Sequence, residues 1–290
     1  MIAMRSLIAL ASLIISSGII SCATSHPPSP AAAPAGALAD GDTAAADTAV
    51  DAARVAATAP YPKGAEGKLI AYGHDIVTKT PALMGPYVRA GMSCEACHNG
   101  AGRKPHAGSL LGVYAKFPQW NKRSHRFIAL QDRLAECFLY SMNGRPPAYD
   151  SREMIALTAY IAFLSRGAKV GEGFSGQGLV AITAPRKPNV AAGAKIYGQK
   201  CAACHAADGN GNNGAFPPLW GAKSFNNGAG MHRLATMAAF VRYNMPYGGP
   251  PNALAAQDAY DVSAYVLSHP RPKFLATQTI AFPPQPAGRY

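Results

Sequence analysis

Charge is scarce in this chain: of 290 residues only 14% are Asp, Glu, Lys or Arg. Acidic residues are the scarcer kind, 15 against 27 Lys plus Arg, leaving a formal net charge of +12. No block of basic residues interleaved with aromatics is present, so the excess does not read as a nucleic-acid footprint, and no nucleic-acid partner is expected. It fits a soluble exported protein of high pI, or one that steers small anions or an acidic redox partner toward itself. Strand signals are nearly absent, which makes the fold class all-α. A disulfide framework is excluded as well. Of the six cysteines, Cys94, Cys97, Cys201 and Cys204 are committed to two copies of one motif, and Cys22 and Cys137 each need a separate explanation. Finally, the stretch from Ala23 to about Pro60 has almost no large apolar residue and cannot bury a core, so it is expected to be a disordered Ala/Pro-rich tether.

The motif is C-x-x-C-H, as Cys94, Cys97 and His98 in Gly-Met-Ser-Cys-Glu-Ala-Cys-His-Asn-Gly and again as Cys201, Cys204 and His205. A lone C-x-x-C suits half a zinc site or a redox dithiol. With His next in both copies, the spacing is that of c-type haem attachment: the cysteines form thioethers with the two vinyl groups and the His sits beneath the iron as proximal ligand. Two covalently bound haem c groups are therefore expected. The chain is long enough for two domains, and the segments around the motifs repeat. A helix precedes each motif, through Lys68, Leu69, Tyr72, Ile76 and Val77 until Pro81 in the first copy, and from Ala191 with Gly193, Ile196 and Tyr197 in the second. Another amphipathic helix closes each copy, Ser151 to Leu164 and Ala255 to Leu267, with Tyr160 and Tyr265 in matching places. This arrangement resembles the class I cytochrome c fold, whose first and last helices cross at a Gly and an aromatic residue. The expected domains are residues 61–170 and 191–270, with 171–190 as connector and 271–290 as a surface tail.

At the N-terminus Arg5 precedes an apolar run from Leu7 to Ile20, too short and too terminal for a spanning helix, so residues 1–21 read as a secretory signal. The run ends in Ile-Ser-Cys22, similar to the lipobox of bacterial lipoproteins, which implies a diacylated Cys22 and a periplasm-facing protein anchored to a Gram-negative membrane. Ala23, rather than Asp, after the Cys points to the outer membrane.

A six-coordinate haem needs a second axial ligand. In class I cytochromes it lies shortly before the last helix, where Met245 stands in Asn244-Met245-Pro246; Met231 is the alternative. The corresponding distance beyond His98 leads to Cys137, with Met142 as the competing ligand. A thiolate ligand donates electron density and a thioether raises the potential, so electrons would run from the first haem to the second.

Between Tyr114 and Arg145 the chain reads YAKFPQWNKRSHRFIALQDRLAECFLYSMNGR. This segment resembles the dihaem thiosulfate dehydrogenases, which share an Arg-rich stretch followed by Cys-Phe-x-x-Ser-Met-Asn-Gly. The likeness continues through Leu219-Trp220-Gly221, Ser224-Phe225-Asn226 and Gly228-Ala229-Gly230-Met231. The resemblance implies that Cys137 ligates haem 1 at the active site and that Arg123, Arg133 and Ser141 surround it. The residue before the haem 2 methionine is Lys in some members, where it can compete for the iron; Asn244 here implies no such switch. The chemistry agrees with this assignment, since joining two thiosulfate dianions near one iron calls for converging guanidiniums, and a thiolate can carry a sulfane adduct. The expected activity is oxidation of two thiosulfates to tetrathionate, or the reverse, with electrons passed to a cytochrome c or similar acceptor. A Sox A-type sulfur transferase subunit and a plain dihaem electron carrier are the competing readings.

Overall fold

The computed structural model describes residues 58–274, apart from 172, 173, 175 and 213. The expected signal segment, Cys22, the tether up to residue 57 and the tail beyond residue 274 lie outside the described residues. Two helix pairs set the architecture. In the first half α1 (Ala65–Thr78) and a short α2 (Thr80–Leu83) lead into the first C-x-x-C-H. A hairpin of β1 (Gln119–Asn121) and β2 (Arg126–Ile128) follows, then α3 (Leu130–Glu136), a π-helical turn over Cys137–Ser141, and α4 (Arg152–Phe163). In the second half α5 (Val190–Lys200) and α6 (Ala202–His205) carry the second motif, and α7 (Leu234–Asn244) and α8 (Ala256–Ser268) complete it.

The helix starts are written locally. Ser151 accepts the Met154 amide at 3.2 Å to cap α4, and Asn189 accepts the Ala192 amide at 3.0 Å to cap α5. Within each half the first and last helices cross in contact. At Gly73 a Cβ would lie 2.1 Å from the Ala156 carbonyl, with Tyr160 Cβ alongside; at Gly193 it would lie 2.0 Å from the Asp261 carbonyl, with Tyr265 alongside. Both crossings therefore require glycine against an aromatic neighbour, the Gly and aromatic pairing that the resemblance to the class I cytochrome c fold implied.

Two features go beyond the sequence reading. One is the hairpin, whose strands pair Trp120 with Phe127 and leave both rings more than half exposed. The other is that the two halves share one hydrophobic core, running from Ile70, Val88 and Phe138 to Phe225, Met237 and Val262. Residues 171–190 serve as more than a spacer. Gly176 and Gly178 accept from His106 and Gly108 in the first half, while Arg186 pairs with buried Asp261 on α8 at 2.6 Å. Among the described residues no helix is long and apolar enough to cross a membrane.

Candidate active site and haem sites

Each C-x-x-C-H histidine is prepared by its surroundings for one task. The Nδ1 of His98 donates to the Gly108 carbonyl, and that of His205 donates to Pro217 at 2.9 Å. A carbonyl can only accept, so the proton sits on Nδ1 and the lone pair of Nε2 is left for a metal. Burial lowers the pKa of both rings, and at His98 the Arg133 guanidinium lowers it further while the Gly108 bond opposes, which favours neutral imidazole. At Gly108, φ is +61° and a Cβ would meet Nδ1 of His98 at 3.1 Å, so this turn is reserved for glycine.

The cysteines fit the same group. All five described cysteines are free. Burial pushes the Cys94 thiol up to about 11 and Cys97 up to about 12, and Cys201 to about 11. Thiols held protonated at Cys94, Cys97 and Cys201 make poor redox dithiols and suit conversion to uncharged thioethers. Among the described residues no group of three or more His, Cys, Asp or Glu could hold a bare metal ion. Thr80, fully buried, accepts the Cys94 amide at 3.0 Å and holds that cysteine in place. Donor set and electrostatics thus both fit haem c at each motif.

Cys137 opens the π-helical turn, in which the Met142 amide reaches the Cys137 carbonyl at 2.9 Å. Such widened turns recur at functional sites because they re-aim a side chain. Cys137 is half-buried and close enough to Cys94 and Cys97 to act on both thiols electrostatically. Met142 is 3% exposed and packed in the core. Arg133, one turn before Cys137, has its pKa raised chiefly by the Cys137 sulfur, with burial opposing and Glu136 adding to the rise. Its Nη1 donates to Glu136 at 3.1 Å, and Asn121 on β1 donates to the other oxygen of that carboxylate at 2.9 Å. The structure therefore brings Cys137 and Arg133 to the His98 site, with Ser141 at the far end of the same turn.

Arg123 reaches the site by another route. It lies in the hairpin turn, where Asn121 accepts the amides of Arg123 and Ser124 at 2.8 and 3.1 Å. Its guanidinium rests 3.9 Å above the Tyr140 ring and donates to the Gly228 carbonyl of the second half at 2.8 Å. Tyr140 in turn adds to the field at Arg133. Asn226, fully buried, ties the turn from behind by donating to the Leu139 carbonyl at 2.8 Å and to Asn143 at 3.3 Å. Sequence reasoning missed Tyr140, Glu136 and Asn121, and it met Asn226 only within a stretch that carries the family likeness, with no role attached. Only Asn121 carried a local signal, an Asn opening a polar turn. In the second half Met245 caps α7, outside the hydrophobic core, whereas Met231 packs against that core.

Two family models match: residues 85–170 match the SoxA/TsdA cytochrome c domain and residues 190–270 match cytochrome c. The thiosulfate dehydrogenase of Allochromatium vinosum is 41% identical over 229 residues, 76% of this chain and 84% of that protein. The chain belongs to the thiosulfate dehydrogenase family. That of Stutzerimonas stutzeri is also 41% identical, over 73% of this chain and 70% of its own. Among solved structures, the thiosulfate dehydrogenase (TsdBA) of Marichromatium purpuratum superposes with a TM-score of 0.70 at 33% identity, over 73% of this chain. The match spans 48% of that longer chain. The protein is thus two tandem cytochrome c domains, each carrying one covalently bound haem c.

Proposed function

We propose that this protein couples two thiosulfates to tetrathionate at Cys137, or runs the reverse reduction, as a His98/Cys137-ligated site feeding a His205/Met245-ligated one. The observation that carries the reading is the placement of Arg133 beside the Cys137 sulfur at the His98 site, with Arg123 delivered next to the same turn on Tyr140. Four negative charges converge when two thiosulfates meet, and guanidiniums offset that repulsion with paired N–H donors.

The sulfur chemistry balances on this chain's own thiolate. Cys137 thiolate and one thiosulfate join through a new S–S bond, giving Cys–S–S–SO₃⁻ and releasing two electrons. The sulfane sulfur of a second thiosulfate then attacks the sulfane sulfur of that adduct, the one bonded to the Cys137 sulfur, and breaks that bond, forming tetrathionate and returning the Cys137 thiolate. Haem c bound at the two motifs supplies one-electron acceptors in sequence. Ser141, at the far end of the Cys137 turn, offers a hydroxyl to a sulfonate oxygen, and electrons leave to a cytochrome c or similar acceptor. The test is thiosulfate added to the purified oxidised protein, with the Soret and α bands followed and tetrathionate assayed. Reduced bands and tetrathionate are expected; bands unmoved by thiosulfate in the oxidised protein and by tetrathionate in the reduced one would overturn the proposal.

A SoxA-type transfer of sulfane sulfur to a carrier protein shares the first half of this chemistry, and the matching domain model is named for both groups. It would yield no tetrathionate from thiosulfate alone. We also propose the Cys22 lipid anchor and a periplasm-facing position. Mass spectrometry should find a diacylated Cys22 as the mature N-terminus, and an unlipidated terminus elsewhere would refute the anchor.

A further inference from the structure

Apart from the residues assigned so far, a partly buried contact joins the loop that orients His98 to the turn that carries Met245. Asn244, immediately before Met245, is 3% exposed. Its amide nitrogen donates to Phe240 in its own helix at 3.2 Å and to the His106 carbonyl of the first half at 3.0 Å. Beside it the Tyr243 and His106 rings meet edge to face, with centroids 4.9 Å apart. His106 stands two residues before Gly108, whose carbonyl orients His98.

The two sides of this contact differ in rigidity. The His106 loop is clamped from behind, since His106 and Gly108 donate their amides to Gly176 and Gly178 at 2.7 and 3.1 Å. The chain after Met245 is exposed from Pro246 to Ala253, and its ties run back to α7 rather than to the first half: the Asn252 amide donates to the Arg242 carbonyl at 2.9 Å, and Arg242 donates to the Leu254 carbonyl at 3.1 Å. Met245 itself bonds back to Val241 at 2.9 Å, so its position follows that of the last turn of α7, which Asn244 and Tyr243 dock on the first half.

We propose that Asn244, assisted by Tyr243, is a positioning residue that registers the Met245 loop against the His98 loop, so that ligation in the second domain depends on a contact with the first. This inference rests on Met245 being the sixth ligand of the second haem. Any displacement of the Met245 backbone pulls on the last turn of α7, which is held on His106. The contact thus opposes ligand loss, and a hydrogen bond and a ring pair of this kind each correspond to about a two- to tenfold change in an opening equilibrium.

The test uses the full-length ferric protein with both haems bound and imidazole as probe. The rate of imidazole entry at the second haem is read from loss of the methionine-to-iron charge-transfer band. Asn244→Leu is expected to speed entry about tenfold. His106→Gly, a change in the other domain at φ +56° that glycine adopts without strain, is expected to speed it about threefold, with the spectrum of the first haem unchanged. His106→Gly keeps the test intact should Asn244→Leu fail to assemble. If Met245→Ala removes the band while Asn244→Leu and His106→Gly exchange at the wild-type rate, the positioning role is overturned and the ligand assignment stands. Should Met245→Ala keep the band, the ligand assignment fails and this inference fails with it.

Discussion

Arg133 offers the sharpest perturbation of the proposed site, because removing it changes two charges at once. Arg133→Ala deletes the cation beside Cys137 and strips Glu136 of its ion pair, leaving a carboxylate whose side chain is only 12% exposed and whose remaining partner is Asn121. Loss of a charge-assisted contact to a bound dianion costs about 1.5–3 kcal/mol, roughly ten- to a hundredfold in kcat/KM. The unmasked Glu136 then repels thiosulfate and adds to that loss. Because both charges act on the same substrate, the two effects should couple: Arg133→Ala combined with Glu136→Gln should recover about tenfold over Arg133→Ala alone. The assay is steady-state thiosulfate oxidation with a high-potential acceptor, alongside haem content by pyridine haemochrome, which should not change. Two outcomes would refute the reasoning. If haem is lost in Arg133→Ala, the guanidinium is structural. If the double variant is no better than the single one, Glu136 does not face the substrate.

Other predictions follow from separate parts of the molecule. Gly193→Ala places a Cβ against the Asp261 carbonyl and should destabilise the two halves, which share one core, by about 2 kcal/mol, lowering Tm by roughly 4–8 °C in calorimetry, whereas Gly198→Ala, which meets nothing within 4 Å, should not. Burial alone would raise the pKa of Asp261, yet the Arg186 pair, the Asn189 amide and Gln257 together hold it below its usual value. A depressed carboxylate stabilises fully above its unfolded pKa of about 3.9 and loses that contribution as pH falls through the folded value, so Asp261→Asn should weaken the protein near neutrality and flatten the acid limb of its denaturant-unfolding curve below about pH 4. Cys137→Gly should keep both haems, held by Cys94, Cys97, His98 and the second motif, yet abolish thiosulfate turnover. Cys137→Met should restore low-spin ligation without activity, and full oxidation by either variant would falsify the role given to the sulfur.

Much of this protein was legible in the chain because its chemistry is local. In C-x-x-C-H the two thioethers and the proximal ligand occupy five consecutive positions, so no tertiary information is needed to find Cys94, Cys97 and His98 or their repeat. The helix starts at Ser151 and Asn189 are likewise encoded by a side chain that reaches its own first turn. Cys137 stood out because a leftover cysteine at ligand spacing is rare, whereas Arg123, Arg133 and Ser141 were named through the family resemblance.

What the sequence could not give were contacts made across long separations, which leave no periodicity and no spacing to read. Tyr140 appears only as an aromatic residue until folding slides the Arg123 guanidinium over its ring and onto Gly228, 105 residues away in the other half. Asn244 reads as the absence of a lysine, and only the docking of α7 on the His106 loop, across 138 residues, turns it into a contact between the two halves. The residues that hold the cofactors were determined by the sequence itself, since covalent attachment requires fixed neighbours along the chain. How the two sites are registered to one another was decided by tertiary structure, since burying one shared core is what brings those distant polar groups within hydrogen-bonding distance.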